Sequence, residues 1–224
     1  MRENGHGPAA GESVTGEPSD AELLEAWRAT RWPSEKSFGA LLLVTSLVCL
    51  FASLMMAIHR YEQLLNPGAL FLCDLNPFIS CGQVLKVWQS AVFGFPNTFL
   101  GLAGYGALSA WSVVLLSGIE LPTWLRRGMV LGMLGAFTFV HFLIYTSLIK
   151  LQVLCPYCSL LWVMTGLQVF TVLAYASGKP DTLMPRALRS VFFHRYLLFG
   201  IWLSAVVVAV ILAFLPRWIA LLGV

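Results

Sequence analysis

Residues 38–58 read FGALLLVTSLVCLFASLMMAI, a run of 21 residues without a charged side chain. A helix of that length rises about 30 Å, the thickness of the hydrocarbon core of a bilayer. Because lipid offers the backbone no hydrogen-bond partner, such a run is predicted to be a helix. Four similar stretches follow it: Asn97–Ser117, Met129–Ile149, Cys158–Ala176 and Tyr196–Leu215. The sequence therefore predicts an all-α membrane protein with five transmembrane helices.

The composition supports this fold class. Of the 224 residues, 58% are hydrophobic and 11% are charged, whereas about 25% of residues are charged in ordinary soluble domains. A soluble fold is excluded, because too few charged residues are present to cover a surface. The net charge of +3 is small, and we expect no nucleic-acid partner.

The chain divides into a polar N-terminal part and a membrane domain. Residues 1–18 are rich in Gly, Glu, Pro and Ser and are predicted to be disordered. Residues 19–36 begin with the capping-box pattern Ser19-x-x-Glu22 and are compatible with an interfacial helix or with a linker that ends in a tryptophan anchor. Residues 37–216 form the predicted transmembrane domain, with an outer loop at 59–96, and residues 217–224 form a short tail.

The basic residues predict the orientation. With the N-terminus in the cytoplasm, ten of the 14 lysines and arginines lie inside, and four lie outside: Arg60, Lys86, Lys150 and Arg217. By the positive-inside rule, we expect a multi-pass protein of the cell membrane with a cytoplasmic N-terminus and an extracytoplasmic C-terminus. The 59–96 loop and the start of the fourth helix then share the outer face.

Four of the five cysteines form two pairs at that face. Cys73 and Cys81 lie in the outer loop, Cys155 and Cys158 form a C-x-x-C at the start of the fourth helix, and Cys49 lies mid-helix, where no role is predicted. Pro156 suits the first turn of a helix, so Cys155 falls near its N-cap. A thiolate there is stabilised by unpaired backbone N–H groups, as in a redox dithiol. Both pairs can therefore carry and exchange disulfides.

Other roles for the cysteines remain open at this point. A four-cysteine zinc site would need the two pairs to converge, and the spacing of Cys73 and Cys81 is wider than usual for zinc ligands. Covalent haem attachment requires His after the second cysteine, where Ser159 stands. Two inert structural disulfides are a third alternative, although a C-x-x-C bridge closes almost no loop. We favour redox chemistry and predict no metal.

The motifs resemble those of the vitamin K epoxide reductase family and its bacterial homologues over residues 38–176. The resemblance rests on Cys73-Asp74 with Ile79-Ser80-Cys81, on Phe93-Gly-Phe-Pro-Asn97-Thr98 and on Cys155-Pro-Tyr-Cys158. The disulfide-bond protein B family, which is also quinone-linked, places its C-x-x-C in the first outer loop. Here the order of the two pairs is reversed.

The resemblance implies a four-helix bundle around a quinone plus one additional helix. It implies that Cys73 and Cys81 take electrons from a thioredoxin-fold (DsbA-like) partner outside the membrane. Cys155 and Cys158 would pass them to a quinone of the menaquinone or ubiquinone type. Bacterial members often carry the partner fused at the C-terminus; here we expect a separate protein.

Three further residues are candidates for the site. Asn97 matches a quinone-contacting Asn of the family, although an Asn at the start of a helix is also a favoured N-cap. Trp162 replaces a Tyr near the quinone in the vertebrate enzyme, so that an indole N–H would be the donor. His141 lies in the middle of the third helix, where placing a polar side chain in the membrane costs free energy. We favour for it a neutral imidazole packed against a neighbouring helix.

The sequence predicts a membrane thiol oxidoreductase that generates disulfides de novo and reduces a quinone. A reductase of vitamin K epoxide is the alternative with the same four cysteines. A transporter whose outer loop is held by disulfides is the alternative from another class. Transporters often show broken helices or charged groups near the middle of the membrane, and apart from His141 none appears in the spans.

Overall fold

The computed structural model describes residues 34–76, 78–119, 121–178, 192 and 194–222. The predicted disordered tail at 1–18 and nearly all of the predicted interfacial segment at 19–36 lie outside the described residues.

Within the described residues, five helices are long and apolar enough to cross a membrane, as predicted. A short helix and a 3₁₀ turn at Trp88–Ala91 lie between the first two of them. In chain order the α-helices are α1 (Glu35–Leu65), α2 (Cys81–Leu85), α3 (Asn97–Leu116), α4 (Thr123–Tyr145), α5 (Pro156–Ser177) and α6 (Arg195–Leu222). A π-helical turn at Thr146–Leu151 extends α4. The protein is an all-α multi-pass membrane protein.

Two helices extend past the ends of their apolar runs. Helix α1 continues to Leu65, so the first seven residues of the predicted 59–96 loop are helical. The polar end of α1 is held by side-chain bonds to α2, since Gln63 Nε2 donates to the Gly82 carbonyl at 3.0 Å. Helix α6 runs through Pro216 to Leu222, whereas we predicted a tail from 217. Membrane helices tolerate proline better than soluble helices do.

Helices α1, α3, α4 and α5 form a bundle, and α6 packs on α5 from outside it. Gly101 lets α3 approach α1 closely, since a Cβ there would lie 2.5 Å from Ser53 Oγ. Gly166 likewise leaves room on α5 for the Trp202 ring of α6. Gly128 and Gly132 form a GxxxG pair near the start of α4, but a Cβ at either position would meet nothing within 4 Å, and both residues line a cavity.

Candidate functional site

The loop between α1 and α3 is closed by a disulfide between Cys73 and Cys81. Asp74 organises this loop, because its carboxylate accepts hydrogen bonds from Ser80 Oγ at 2.7 Å, Gly82 N–H at 3.0 Å and Phe71 N–H at 3.1 Å. Burial raises the pKa of the Asp74 carboxyl, but the bonds from Gly82, Ser80 and Phe71 together outweigh it and hold that pKa below its ordinary value. Asp74 is therefore ionised at neutral pH and fixes the turn that carries Cys81.

The loop is joined to the segment before α5 by backbone hydrogen bonds. Ser80 N–H donates to the Leu154 carbonyl at 3.0 Å, and Leu154 N–H donates to the Phe78 carbonyl at 2.8 Å. This pairing brings Cys81 Sγ to 3.5 Å from Cys155 Sγ. The two cysteine pairs therefore meet in space, and their contact is between the second cysteine of the loop and the first of the C-x-x-C.

Cys155 is the N-cap of α5, as predicted, and Pro156 occupies the first position of the helix. The Cys158 N–H points at Cys155 Sγ at 3.4 Å. A hydrogen bond from the Cys158 thiol, with the N–H groups of Cys158 and Tyr157, outweighs the burial of Cys155 and holds the pKa of its thiol below the ordinary value. Cys155 and Cys158 are free thiols in this structure. The helix start therefore stabilises a thiolate at the sulfur that faces the loop.

A cavity of about 870 Å³ lies inside the bundle and reaches both cysteines of the C-x-x-C. Residues of α1, α3, α4 and α5 line it, and none of the described residues of α6 does. The volume falls in the range of sites for cofactor-sized molecules. The cavity walls are largely apolar, as a lipophilic ligand requires.

Trp162 lies on this cavity one turn along α5 from Cys158. Its side chain is 3% exposed, and its indole N–H is buried without a hydrogen-bond partner among the described residues. Native proteins rarely leave a buried donor unpaired. An acceptor oxygen of a bound ligand would satisfy this one.

Asn97 also lines the cavity, but its amide is already engaged. Its Nδ2 donates to the Gln89 carbonyl at 2.7 Å, and its Oδ1 accepts from the Val92 N–H at 3.1 Å. The alternative that Asn97 caps α3 is wrong, because the N-cap is Pro96 and Asn97 is the first helical residue. Asn97 therefore ties the start of α3 to the backbone of Gln89 and Val92.

His141 is packed against a neighbouring helix, as favoured above. Its Nδ1 contacts the Phe137 carbonyl at 2.8 Å, and its Nε2 accepts from Trp202 Nε1 of α6 at 3.0 Å. This pair of bonds fits the neutral tautomer with its proton on Nδ1. His141 is not among the residues that line the cavity.

A second histidine, which sequence reasoning missed, lies at the loop disulfide. His59 Nδ1 is 3.9 Å from Cys73 Sγ. In the described part of the chain, the only cluster of at least three candidate metal ligands is His59, Cys73 and Cys81, not the four cysteines. No motif marks His59 in the sequence, because it simply follows the apolar run of α1.

A model of the vitamin K epoxide reductase (VKOR) family matches residues 40–173. The chain belongs to this family. The match covers more than half of the chain and includes both cysteine pairs, so the protein is a membrane oxidoreductase of the VKOR family. The comparison with curated proteins gives no match.

Proposed function

We propose that this VKOR-family protein generates disulfides de novo. It takes electrons from a separate extracytoplasmic thioredoxin-fold protein and delivers them to a membrane quinone. The observation that carries the proposal is the 3.5 Å contact between the sulfurs of Cys81 and Cys155, together with the cavity that Cys155 and Cys158 line on the other side. Thiol–disulfide exchange requires sulfurs to meet, and here they do.

The exposure of the sulfurs suggests the order of the steps. Cys73 is 7% exposed and Cys81 is fully buried, so a thiolate of the partner attacks Cys73, and the electron pair of the broken bond leaves on Cys81. The partner's second thiolate then attacks the partner sulfur joined to Cys73, which completes the partner's own disulfide and releases Cys73. The loop is now a dithiol.

The loop then reduces the C-x-x-C. Cys81 attacks Cys155 of a Cys155–Cys158 disulfide, and the electron pair leaves on Cys158. Cys73 attacks Cys81 of the mixed disulfide, which restores the loop disulfide and releases Cys155. The resulting state, with the loop pair bonded and Cys155 and Cys158 free, is the one that the described cysteines have.

The residues around the cavity fit a quinone. The unpaired indole N–H of Trp162 and the remaining amide hydrogen of Asn97 are donors for its oxygens, and the apolar walls suit its ring and chain. A quinone of the menaquinone or ubiquinone type, when bound, accepts two electrons and two protons. Donors that are fixed in advance stabilise the charge that develops on the oxygens.

We also propose that both cysteine pairs face the extracytoplasmic side, with the N-terminus in the cytoplasm. The contact between the pairs requires a common side. The excess of basic residues on the opposite side supports this orientation.

Reconstitution tests the function. The purified chain in proteoliposomes, given a short-chain ubiquinone or menaquinone and a reduced thioredoxin-fold oxidant, should form partner disulfides and quinol in equal amounts. Cys81→Ser should abolish both products, whereas Cys49→Ala, which changes a buried cysteine outside the relay, should keep them. Turnover only with the quinone epoxide in place of the quinone would contradict the proposal and favour a vitamin K epoxide reductase.

A further inference from the structure

The imidazole of His59 lies directly against the loop disulfide. Its Nδ1 is 3.9 Å from Cys73 Sγ, and the His59, Cys73 and Cys81 ligand atoms all lie within 4.8 Å of one another. The ring stacks on Phe71 with centroids 4.6 Å apart and contacts the Tyr157 ring at 5.8 Å. The ring is therefore held in place from two sides, with one nitrogen next to a sulfur.

The two sulfurs of the loop have different neighbours. Cys81 faces Cys155 at 3.5 Å, whereas Cys73 faces His59. Only a thiolate attacks a disulfide, and an ordinary thiol is mostly protonated at neutral pH. Cys155 is the N-cap of α5, whose start stabilises its thiolate, whereas Cys73 lies in the loop before α2. The group within reach of the Cys73 proton is His59.

We propose that His59 is the catalytic acid and base for Cys73. When the partner releases Cys73, the electron pair of the broken bond stays on Cys73 Sγ, and the imidazolium of His59 gives this sulfur its Nδ1 proton. When Cys73 later attacks the Cys81–Cys155 mixed disulfide, the proton returns to His59 Nδ1. The new S–S bond forms between Cys73 and Cys81, and the electron pair leaves on Cys155. The direction of these steps rests on the proposed function, but the proton exchange between His59 and Cys73 does not.

A purely structural role for His59 makes a different prediction. If the ring only fills the space between Phe71 and Tyr157, then His59→Phe should preserve both packing and chemistry. If the ring exchanges a proton, the same variant should keep the fold and lose the reactivity of Cys73. The phenylalanine variant therefore separates the two roles, and His141→Phe is the matched control, because His141 contacts Phe137 and Trp202 and no cysteine.

The experiment needs neither quinone nor partner, so its failure is distinct from failure of the proposed function. The full-length chain in detergent is reduced, pulsed with iodoacetamide at pH 7, and the alkylation of each cysteine is measured by peptide mapping. We expect Cys73 alkylation to slow about 10-fold in His59→Phe, the effect of one pKa unit on a thiolate population. It should be unchanged in His141→Phe, and Cys158 alkylation in the same samples should match the wild type. Equal Cys73 rates in His59→Phe and the wild type would overturn the proposal.

A pH profile of the wild-type chain supplies a second test that does not depend on any variant folding. The titratable and charged side chains around His59 are those of Cys73, Asp74 and Cys81 in the loop, of Cys155 and Tyr157 at the start of α5, and of Arg60, Tyr61 and Glu62, which follow on α1. With a base beside it, Cys73 should be alkylated below pH 7 faster than a free thiol is. A rate that follows one ionisation near that of a free thiol, about pH 8.5, would contradict the proposal.

Discussion

Trp162→Phe should change the stability of the chain and its affinity for quinone to different extents. The buried indole N–H has no partner in the described structure, and an unpaired buried donor costs about 1–3 kcal/mol. Removing this N–H offsets the packing that is lost when the ring becomes smaller within the buried cluster that also holds Val140, Ile144 and Phe214. We therefore expect the free energy of unfolding without ligand to stay within about 1 kcal/mol of the wild type.

The quinone-bound state should lose a hydrogen bond in the same variant. A hydrogen bond contributes about 0.5–1.5 kcal/mol net, so the quinone KM should rise about 3–10-fold. Quinone-dependent turnover in proteoliposomes and thermal unfolding with and without a short-chain quinone measure the two effects. Trp111→Phe is the control, since Trp111 lines the same cavity and is not among the residues with an unpaired buried donor. A folded Trp162→Phe protein with the wild-type quinone KM, or an equal rise in Trp111→Phe, would refute the reasoning.

Three other predictions concern the relay, the loop segment and the topology. Cys158→Ser should stop quinone reduction yet permit a Cys81–Cys155 disulfide, since Cys155 can still attack Cys81 of the loop disulfide and only Cys73 is left to resolve the product; non-reducing peptide mapping detects the bond, and steady turnover would reverse the assigned roles. Asn97→Ala removes the bonds to the Gln89 and Val92 backbone, so it should lower stability by about 1 kcal/mol and slow quinone reduction without stopping exchange between the cysteine pairs. A single cysteine placed at Leu70, which is 90% exposed in the loop, should react with an impermeant reagent from outside in an otherwise cysteine-free chain, and labelling only from the cytoplasm would overturn the topology.

The five membrane helices could be predicted because lipid leaves an apolar segment of this length few alternatives to a helix. Their ends could not be placed as well. The apolar run of α1 ends at Ile58, but the helix continues to Leu65, because Gln63 is held by a backbone carbonyl of α2. The hydrophobic pattern indicates where the chain leaves the lipid. The end of the helix also depends on polar contacts beyond that point.

The residues of the site were easier to predict than their contacts. The position of Cys155 at the N-cap follows from the proline after it. The contact of Cys155 with Cys81, by contrast, depends on a bridge between Ile79 and Leu154, which are distant in sequence. His59 was missed for the same reason, since its role depends on a loop that folds back over α1.

The most direct test of the relay is the redox state of the four cysteines before and after quinone is added. The chain is fully reduced under anaerobic conditions, a short-chain quinone is added, and a mass-tagged alkylating reagent counts the free thiols at each position. Oxidation of Cys155 and Cys158 first, followed by formation of the Cys73–Cys81 disulfide, is the predicted result. Thiols that stay reduced after quinone is added, or a Cys73–Cys81 disulfide that forms at the same rate in a Cys158→Ser chain, would contradict the account.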